Sequence, residues 1–258
     1  MAIHSWSQLS APALAELVES SDGAVVAVVM VGATEQHGPH LPLGTDSVIG
    51  QGLVEQACAQ LPDAVSVVVM PPIVVGASDE HSHFAGTISL PPEVLAAHLT
   101  AYGEALARAG IGRWVIVNAH GGNVGVIESV SVSLRQDFGL LIAKAYYPKF
   151  AAMPDGPDAH ELKHGLHGGQ LETSLMSALE PERVDMSKAT HFEIAHPPWA
   201  GQAPLAWLAE DLNPHGVAGR ADAASDKEGK ALLAHYGAAL AEVIAATATH
   251  PLPAGRTD

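Results

Sequence analysis

AVVAVVMVGATEQHGPHLPLGTD, residues 24–46, is the stretch on which the reading of the whole chain turns. Its first eight residues form a continuous apolar run rich in valine, which reads as a strand covered on both faces. Gly32 ends the run, and one short loop then carries Glu35, His37, His40 and Asp46 among Gly38, Pro39, Pro42 and Gly44. A surface loop needs none of that chemistry.

Outward from this stretch the pattern repeats. Helical spacing over 9–18 sits behind Ser10 and Pro12, and 47–61 is helical again before a second apolar strand, VSVVVM, at 65–70. Pro91 and Pro92 open a helix to about residue 109, Gly110 and Gly112 end it, and RWVIVNA at 113–119 is a third buried strand. Residues 123–136 are helical, LLIAKAYY from Leu140 is a fourth strand, and 229–246 makes a closing amphipathic helix. Alternating strands and helices predict an α/β fold, a parallel sheet with helices on both faces. No repeat or low-complexity linker divides the chain. A single domain over 1–258 is expected, with long loops at about 151–169 and 195–224.

Composition excludes several classes of function. At 258 residues, with 48% hydrophobic and 16% charged residues, the chain can bury a substantial core. Twenty-eight acidic against 12 basic residues give a formal charge of -16, which repels a phosphate backbone or an anionic membrane, so neither is an expected partner. Cys58 is the only cysteine, which rules out an internal disulfide and zinc sites built on cysteine pairs. The N-terminal MAIHSWSQLSAPALAELVES lacks the basic start and continuous apolar stretch of a signal peptide. No apolar run reaches the roughly 18 residues of a membrane span, and a soluble cytoplasmic protein is expected. Histidines number 15, an unusual excess over Lys plus Arg in a residue type that supplies metal ligands and neutral-pH acid/base groups.

The polar clusters fall at one edge. Glu35 and His37 follow the first strand; Ser78, Asp79, Glu80, His81 and His83 follow the second; Asn118, His120 and Asn123 follow the third. In open α/β sheets the carboxyl ends of the strands are where ligands bind, so three loops deliver side chains to one crevice. Glu35 and His37 point the same way in an extended segment. Asp46 follows across a loop stiffened by prolines, and its two oxygens can bridge two cations. His120 stands in the turn NAHGGN, where Gly121 and Gly122 permit close approach. Carboxylates and imidazoles without thiolate suit zinc, manganese or iron(II), and paired metals generate hydroxide at neutral pH and polarise a carbonyl.

Blander roles exist for each residue taken singly. Asp46 would serve as the cap of a helix starting at Ser47, Ser78 and His81 would finish a turn, and a lone His37 or His120 would be a hydrogen-bonded structural histidine. His4, His98, His191, His235 and His250 read as surface or core. Glu35 is harder to dismiss, because a carboxylate near a core is costly unless paired or metal-bound. HELKH at 160–164 fits the HExxH pattern of zinc proteases, with Glu161 as base. That pattern needs a helix, and PDGPDAHELKHGLHGG is a poor helix sequence; the extended pattern also wants glycine and histidine where His167 and Gln170 stand.

TEQHGPHLPLGTD, GASDEHSHFAGTISL, VNAHGGN and LHGGQLETSLM, in that order over roughly the first 180 residues, resemble the creatininase family of metal-dependent amidohydrolases. The resemblance implies a single three-layer α/β/α domain with a mostly parallel central sheet, two divalent metal ions (zinc, with manganese or iron as alternatives) and a homohexamer. It implies Glu35, His37, Asp46 and His120 as metal ligands with Asp46 bridging, and Glu172 as a ligand or a partner to one. Ser78 would lie at the substrate beside Gly121, and His167 would be the catalytic acid/base.

Departures from creatininases proper limit the substrate. Those enzymes carry a tyrosine and a metal-binding glutamate where this chain has Gly121 and Gly122, and a tryptophan closing over creatinine where this chain has Lys163. The glycine version looks more like relatives that hydrolyse formamides or trim a modified peptide. Hydrolysis of an amide C–N bond by metal-bound hydroxide, on a small-molecule amide or formamide other than creatinine, is therefore the expected activity. Creatinine amidohydrolase itself, a peptidase, a non-catalytic metal- or metabolite-binding protein and the HExxH protease are the alternatives.

Overall fold

The computed structural model describes residues 2–21 and 24–252. In chain order the elements are β1 (Ala2–Ser5), α1 (Ala11–Ser20), β2 (Val26–Val31), α2 (Thr45–Cys58), β3 (Ser66–Val69), α3 (Pro92–Arg108), β4 (Arg113–Asn118), α4 (Val124–Phe138) and β5 (Leu141–Tyr146). There follow α5 (Ala159–His164), α6 (Gln170–Leu179), β6 (His191–Phe192), β7 (Trp199–Ala200), β8 (Ala203–Pro204), α7 (Ala209–Leu212), β9 (Gly219–Arg220) and α8 (Asp226–Thr249).

Strands β1 to β5 form one sheet in the order β1-β3-β2-β4-β5, every pair parallel. All six residues of β2 are buried, as the valine-rich run requires of a central strand covered on both faces. Val26, Val28 and Met30 point into a core shared with Ile49 and Leu53 of α2, Leu175 and Met176 of α6, and Leu232, Tyr236 and Leu240 of α8. Ala27, Val29 and Val31 point the other way, onto Leu95 and Leu99 of α3 and Ile127 and Leu134 of α4. Two helical layers thus sandwich the sheet. The chain runs from β2 to β3 on one side and adds β4 and β5 on the other, so the loop after β2 leaves at the reversal where α/β sheets open a crevice.

The irregular regions expected at 151–169 and 195–224 contain more regular structure than their composition indicates. Asp158 caps α5 by accepting from the Glu161 N–H at 2.9 Å, so HELKH is helical after all. Residues 195–224 include the β7–β8 hairpin, α7 and β9, which pairs antiparallel with β6. Long-range partners, absent from any local pattern, make these pieces. The edge strand β1 is too short to show a period. Helix α8, 24 residues long, is apolar enough by length and composition to cross a membrane, contrary to the expectation that no segment would be. Here it packs on α2 and α6, with Leu232, Leu240 and Ile244 in the core.

Candidate metal centre

Four strand ends and the start of α6 surround one buried cluster. Glu35, His37, Asp46, His120 and His167 are all buried, Glu172 is half-buried, and His81 joins them from the loop after β3. Three sets of potential ligand atoms each lie within 4.8 Å of one another: Glu35–His37–His167, Glu35–Asp46–His120 and His37–Asp46–Glu172. Asp46 belongs to two of the sets. It stands in the first turn of α2, whose cap position is Gly44, and its carboxylate faces His37 and His120 rather than capping the helix.

Hydrogen-bond partners fix which nitrogen of each imidazole carries its proton, because a carbonyl oxygen only accepts. His37 Nδ1 donates to Glu35 O at 3.2 Å, so Nε2 turns a lone pair to Asp46 Oδ1 at 3.2 Å. His120 Nε2 donates to Ala77 O at 3.0 Å and faces Glu80 Oε1 at 3.3 Å, so Nδ1 turns a lone pair to Glu35 Oε1 and Asp46 Oδ2, both at 3.2 Å. His167 Nε2 donates to Gln36 O at 2.7 Å, and Nδ1 is left facing Glu35 Oε1 at 3.7 Å. Glu35 Oε1 and Asp46 Oδ2 are buried and accept no hydrogen bond among the described residues. Lone pairs and anionic oxygens at this separation repel unless a cation lies among them. Protons are one answer: despite burial, which works the other way, the Asp46 carboxylate raises His37 to about 9. Divalent metals are the other, and the carboxylate–imidazole donor set fits them.

Neighbours hold the cluster in place. Ser78 is fully buried and its hydroxyl donates to Glu35 Oε2, so it orients that carboxylate. His81 Nδ1 accepts from Gln36 Nε2 at 2.9 Å, which directs its Nε2–H toward Glu35 Oε1 at 3.5 Å; its ring lies 4.2 Å from that of His167 and meets Trp207 edge-on. Asn123 joins three loops, donating to Gly32 O at 3.0 Å and accepting from Ala77 N at 2.9 Å. Gly168 N donates to Glu172 Oε2 at 2.6 Å, and burial lifts the Glu172 carboxyl to about 7. Gly122 has no room for a side chain: a Cβ would meet Ala77 O, His120 and Glu80. Gly121 is exposed, and a Cβ there would stand 3.5 Å from Tyr146 Oη. Burial pushes the Tyr146 phenol up to about 12, with the charge of Glu172 adding to the effect. Lys163 lies outside the cluster, its Nζ 5.7 Å over the Trp199 ring.

In the sequence His81 reads equally as a turn residue, Glu80 has a place in the polar cluster after β3 but no assigned role, and nothing marks Gln36 or Tyr146. The position of His81 in the polar cluster after β3 was a signal. Tyr146 had none, because register alone carries it to this edge.

His40 belongs to the quoted loop but not to the cluster. Its Nε2 donates to Gly168 O at 3.0 Å, and burial pushes its pKa down to about 4. The unfolded chain takes a proton near 6.5 that the folded protein refuses. Stability present above pH 6.5 is therefore lost as pH falls toward 4, by about 1.4 kcal/mol per unit. Thermal melts between pH 7 and 4 are expected to show a shallower loss in His40→Gln than in the native chain; equal slopes would refute this.

The HExxH glutamate has a structural task. Glu161 is buried and accepts from Gln170 N at 2.8 Å and Arg220 N at 3.0 Å, while Gly165, Gly169 and Gly219 crowd its carboxylate. It ties α5 to the start of α6 and to β9, just past Ala218, which bonds back to His167. Leaving those N–H groups unpaired costs about 1–3 kcal/mol each. Glu161→Gln is expected to lower Tm by about 5–10 °C with metal content intact. Unchanged stability with abolished turnover would restore the protease reading.

A parallel α/β sheet whose C-terminal edge gathers buried carboxylates and imidazoles around a shared aspartate has the build of a metal-dependent hydrolase. The family model for creatininase (creatinine amidohydrolase) matches residues 7–244, and the chain belongs to that family of amidohydrolases. The mycofactocin precursor peptide peptidase of Mycobacterium ulcerans (strain Agy99) is 36% identical over 198 residues, 74% of this chain and 70% of that one. Creatinine amidohydrolase of Pseudomonas putida is 30% identical over 195 residues, 68% and 71% of the two chains. Two creatininase structures, one designated Mn and one a mutant of Zn–Zn type, superpose with TM-scores of 0.75 and 0.76. Each is 26% identical to this chain and covers 93% of it and 96% of its own length.

Proposed function

We propose that the protein hydrolyses an amide C–N bond in a substrate other than creatinine, with two divalent metal ions held by Glu35, His37, Asp46, His120 and Glu172. The observation that carries this reading is the sharing of Asp46 by the Glu35–Asp46–His120 and His37–Asp46–Glu172 sets. Zinc, manganese or iron there would polarise a carbonyl and bring a water's pKa toward neutrality. His167 moves the proton: with Nε2–H committed to Gln36 O, its Nδ1 takes the proton shed by the attacking water and hands it to the leaving nitrogen. Ser78 and His81 fix the Glu35 carboxylate, and Glu80 and Ala77 O fix the His120 ring.

Two features favour a substrate larger than creatinine. Gly121 leaves the mouth open, and Lys163, drawn toward Trp199, offers no ring to close over a small heterocycle. Likeness to the M. ulcerans peptidase makes a peptide amide the first substrate to try and formamides the second. Metal-loaded protein assayed on creatinine, N-substituted formamides and short peptides tests the reading; rapid creatinine turnover would overturn the exclusion. The family resemblance extends the proposal to a homohexamer, which sedimentation tests.

A further inference from the structure

The Tyr146 hydroxyl stands at the cluster without a hydrogen-bond partner among the described residues. It ends β5 in register with Asn118, at the sheet edge that carries His120. Its Oη lies 3.5 Å from where a Cβ on Gly121 would stand, so the bare turn leaves the hydroxyl reachable. Tyr146 and Glu172 line one cavity of about 190 Å³, and among the described residues the hydroxyl makes no hydrogen bond.

Most other side-chain donors of the cluster are spent. His167 Nε2–H goes to Gln36 O, His37 Nδ1–H to Glu35 O, and His120 Nε2–H to Ala77 O. The Ser78 hydroxyl donates to Glu35, while His81 Nε2–H points toward Glu35 Oε1 at 3.5 Å without a hydrogen bond to it. Glu35, Asp46 and Glu172, as carboxylates, only accept. Amide hydrolysis places negative charge on the carbonyl oxygen as the carbon becomes tetrahedral, and a positioned donor there is worth a large share of the rate.

We infer that Tyr146 is a catalytic residue whose hydroxyl donates a hydrogen bond to the oxygen of the scissile carbonyl as that oxygen gains charge. This rests on the amide-hydrolase reading above. No proton is transferred: the O–H stays on tyrosine, and His167 handles the proton of the water.

Tyr146→Phe removes one oxygen and leaves the ring. The expected result is unchanged metal content and Tm, with kcat/KM on the best amide substrate lowered about 10²–10³-fold. Inorganic phosphate, a tetrahedral anion, provides a readout independent of turnover. Its Kd for the metal-loaded protein, measured by calorimetry, should weaken about tenfold or more in the variant. Equal phosphate affinity in the two proteins, or no phosphate binding by the metal-loaded native chain, overturns the role of Tyr146 and leaves the hydrolase reading standing. A native chain that takes up no metal overturns both.

Discussion

Asp46→Ala is expected to yield a protein that folds and carries almost no metal, against the two ions per chain proposed for the native protein. Asp46, like Glu35 and His37, belongs to two of the three ligand sets, and its two carboxylate oxygens let its removal take a donor from both positions at once. The fold tolerates the change, because the carboxylate faces only histidine nitrogens and its loss leaves no backbone N–H unpaired. The acid's interaction with the first turn of α2 is worth only about 0.3–1 kcal/mol. A second signature follows from charge. Asp46 holds His37 near pH 9 in the metal-free protein, so metal must displace a proton there and uptake weakens as pH falls below that value. Elemental analysis of native and variant protein, with metal titrations at pH 6 and 8, measures both. Unchanged metal content in the variant would remove Asp46 from the centre, and native protein without metal would favour a binding role for another part of the crevice.

His167→Ala separates chemistry from metal binding. The ring's Nε2 is occupied by Gln36 O, and its Nδ1 sits 3.7 Å from Glu35 Oε1, farther than the 3.2 Å contacts of His37 and His120 with Asp46. Turnover is expected to fall by about 10²–10⁴-fold with metal content near native. No acidic limb of the native pH–rate profile is expected to come from His167. Burial holds the imidazole well below its usual pKa, so in the native enzyme the base is neutral and ready at every pH where the fold survives. Loss of one metal in this variant would make His167 a ligand through the Glu35–His37–His167 set. A protein with no turnover to lose would be the non-catalytic binder.

Much of this is legible in the sequence alone. The apolar runs at 24–31, 65–70, 113–119 and from Leu140 give four of the five sheet strands, because buried parallel strands announce themselves as continuous apolar runs. The proposed ligands Glu35, His37 and His120 follow directly from strand ends. What stayed hidden depended on partners far along the chain. Helix α5 exists because Asp158 caps it and Glu161 is gripped by Gln170 N and Arg220 N, 9 and 59 residues away. Tyr146 reaches the cluster through register with Asn118, and Gln36 acquires its task only by meeting His81 and Gly216.

The aim of His37, His120 and His167 is set by the carbonyls of Glu35, Ala77 and Gln36, which are main-chain atoms. Substitution of a side chain leaves a carbonyl in place, so the direction of these imidazoles is robust to most point mutations. Gly121, Lys163 and Trp207 carry no such duty. A lineage can therefore change what enters the crevice, one residue at a time, while the reactive centre is inherited intact.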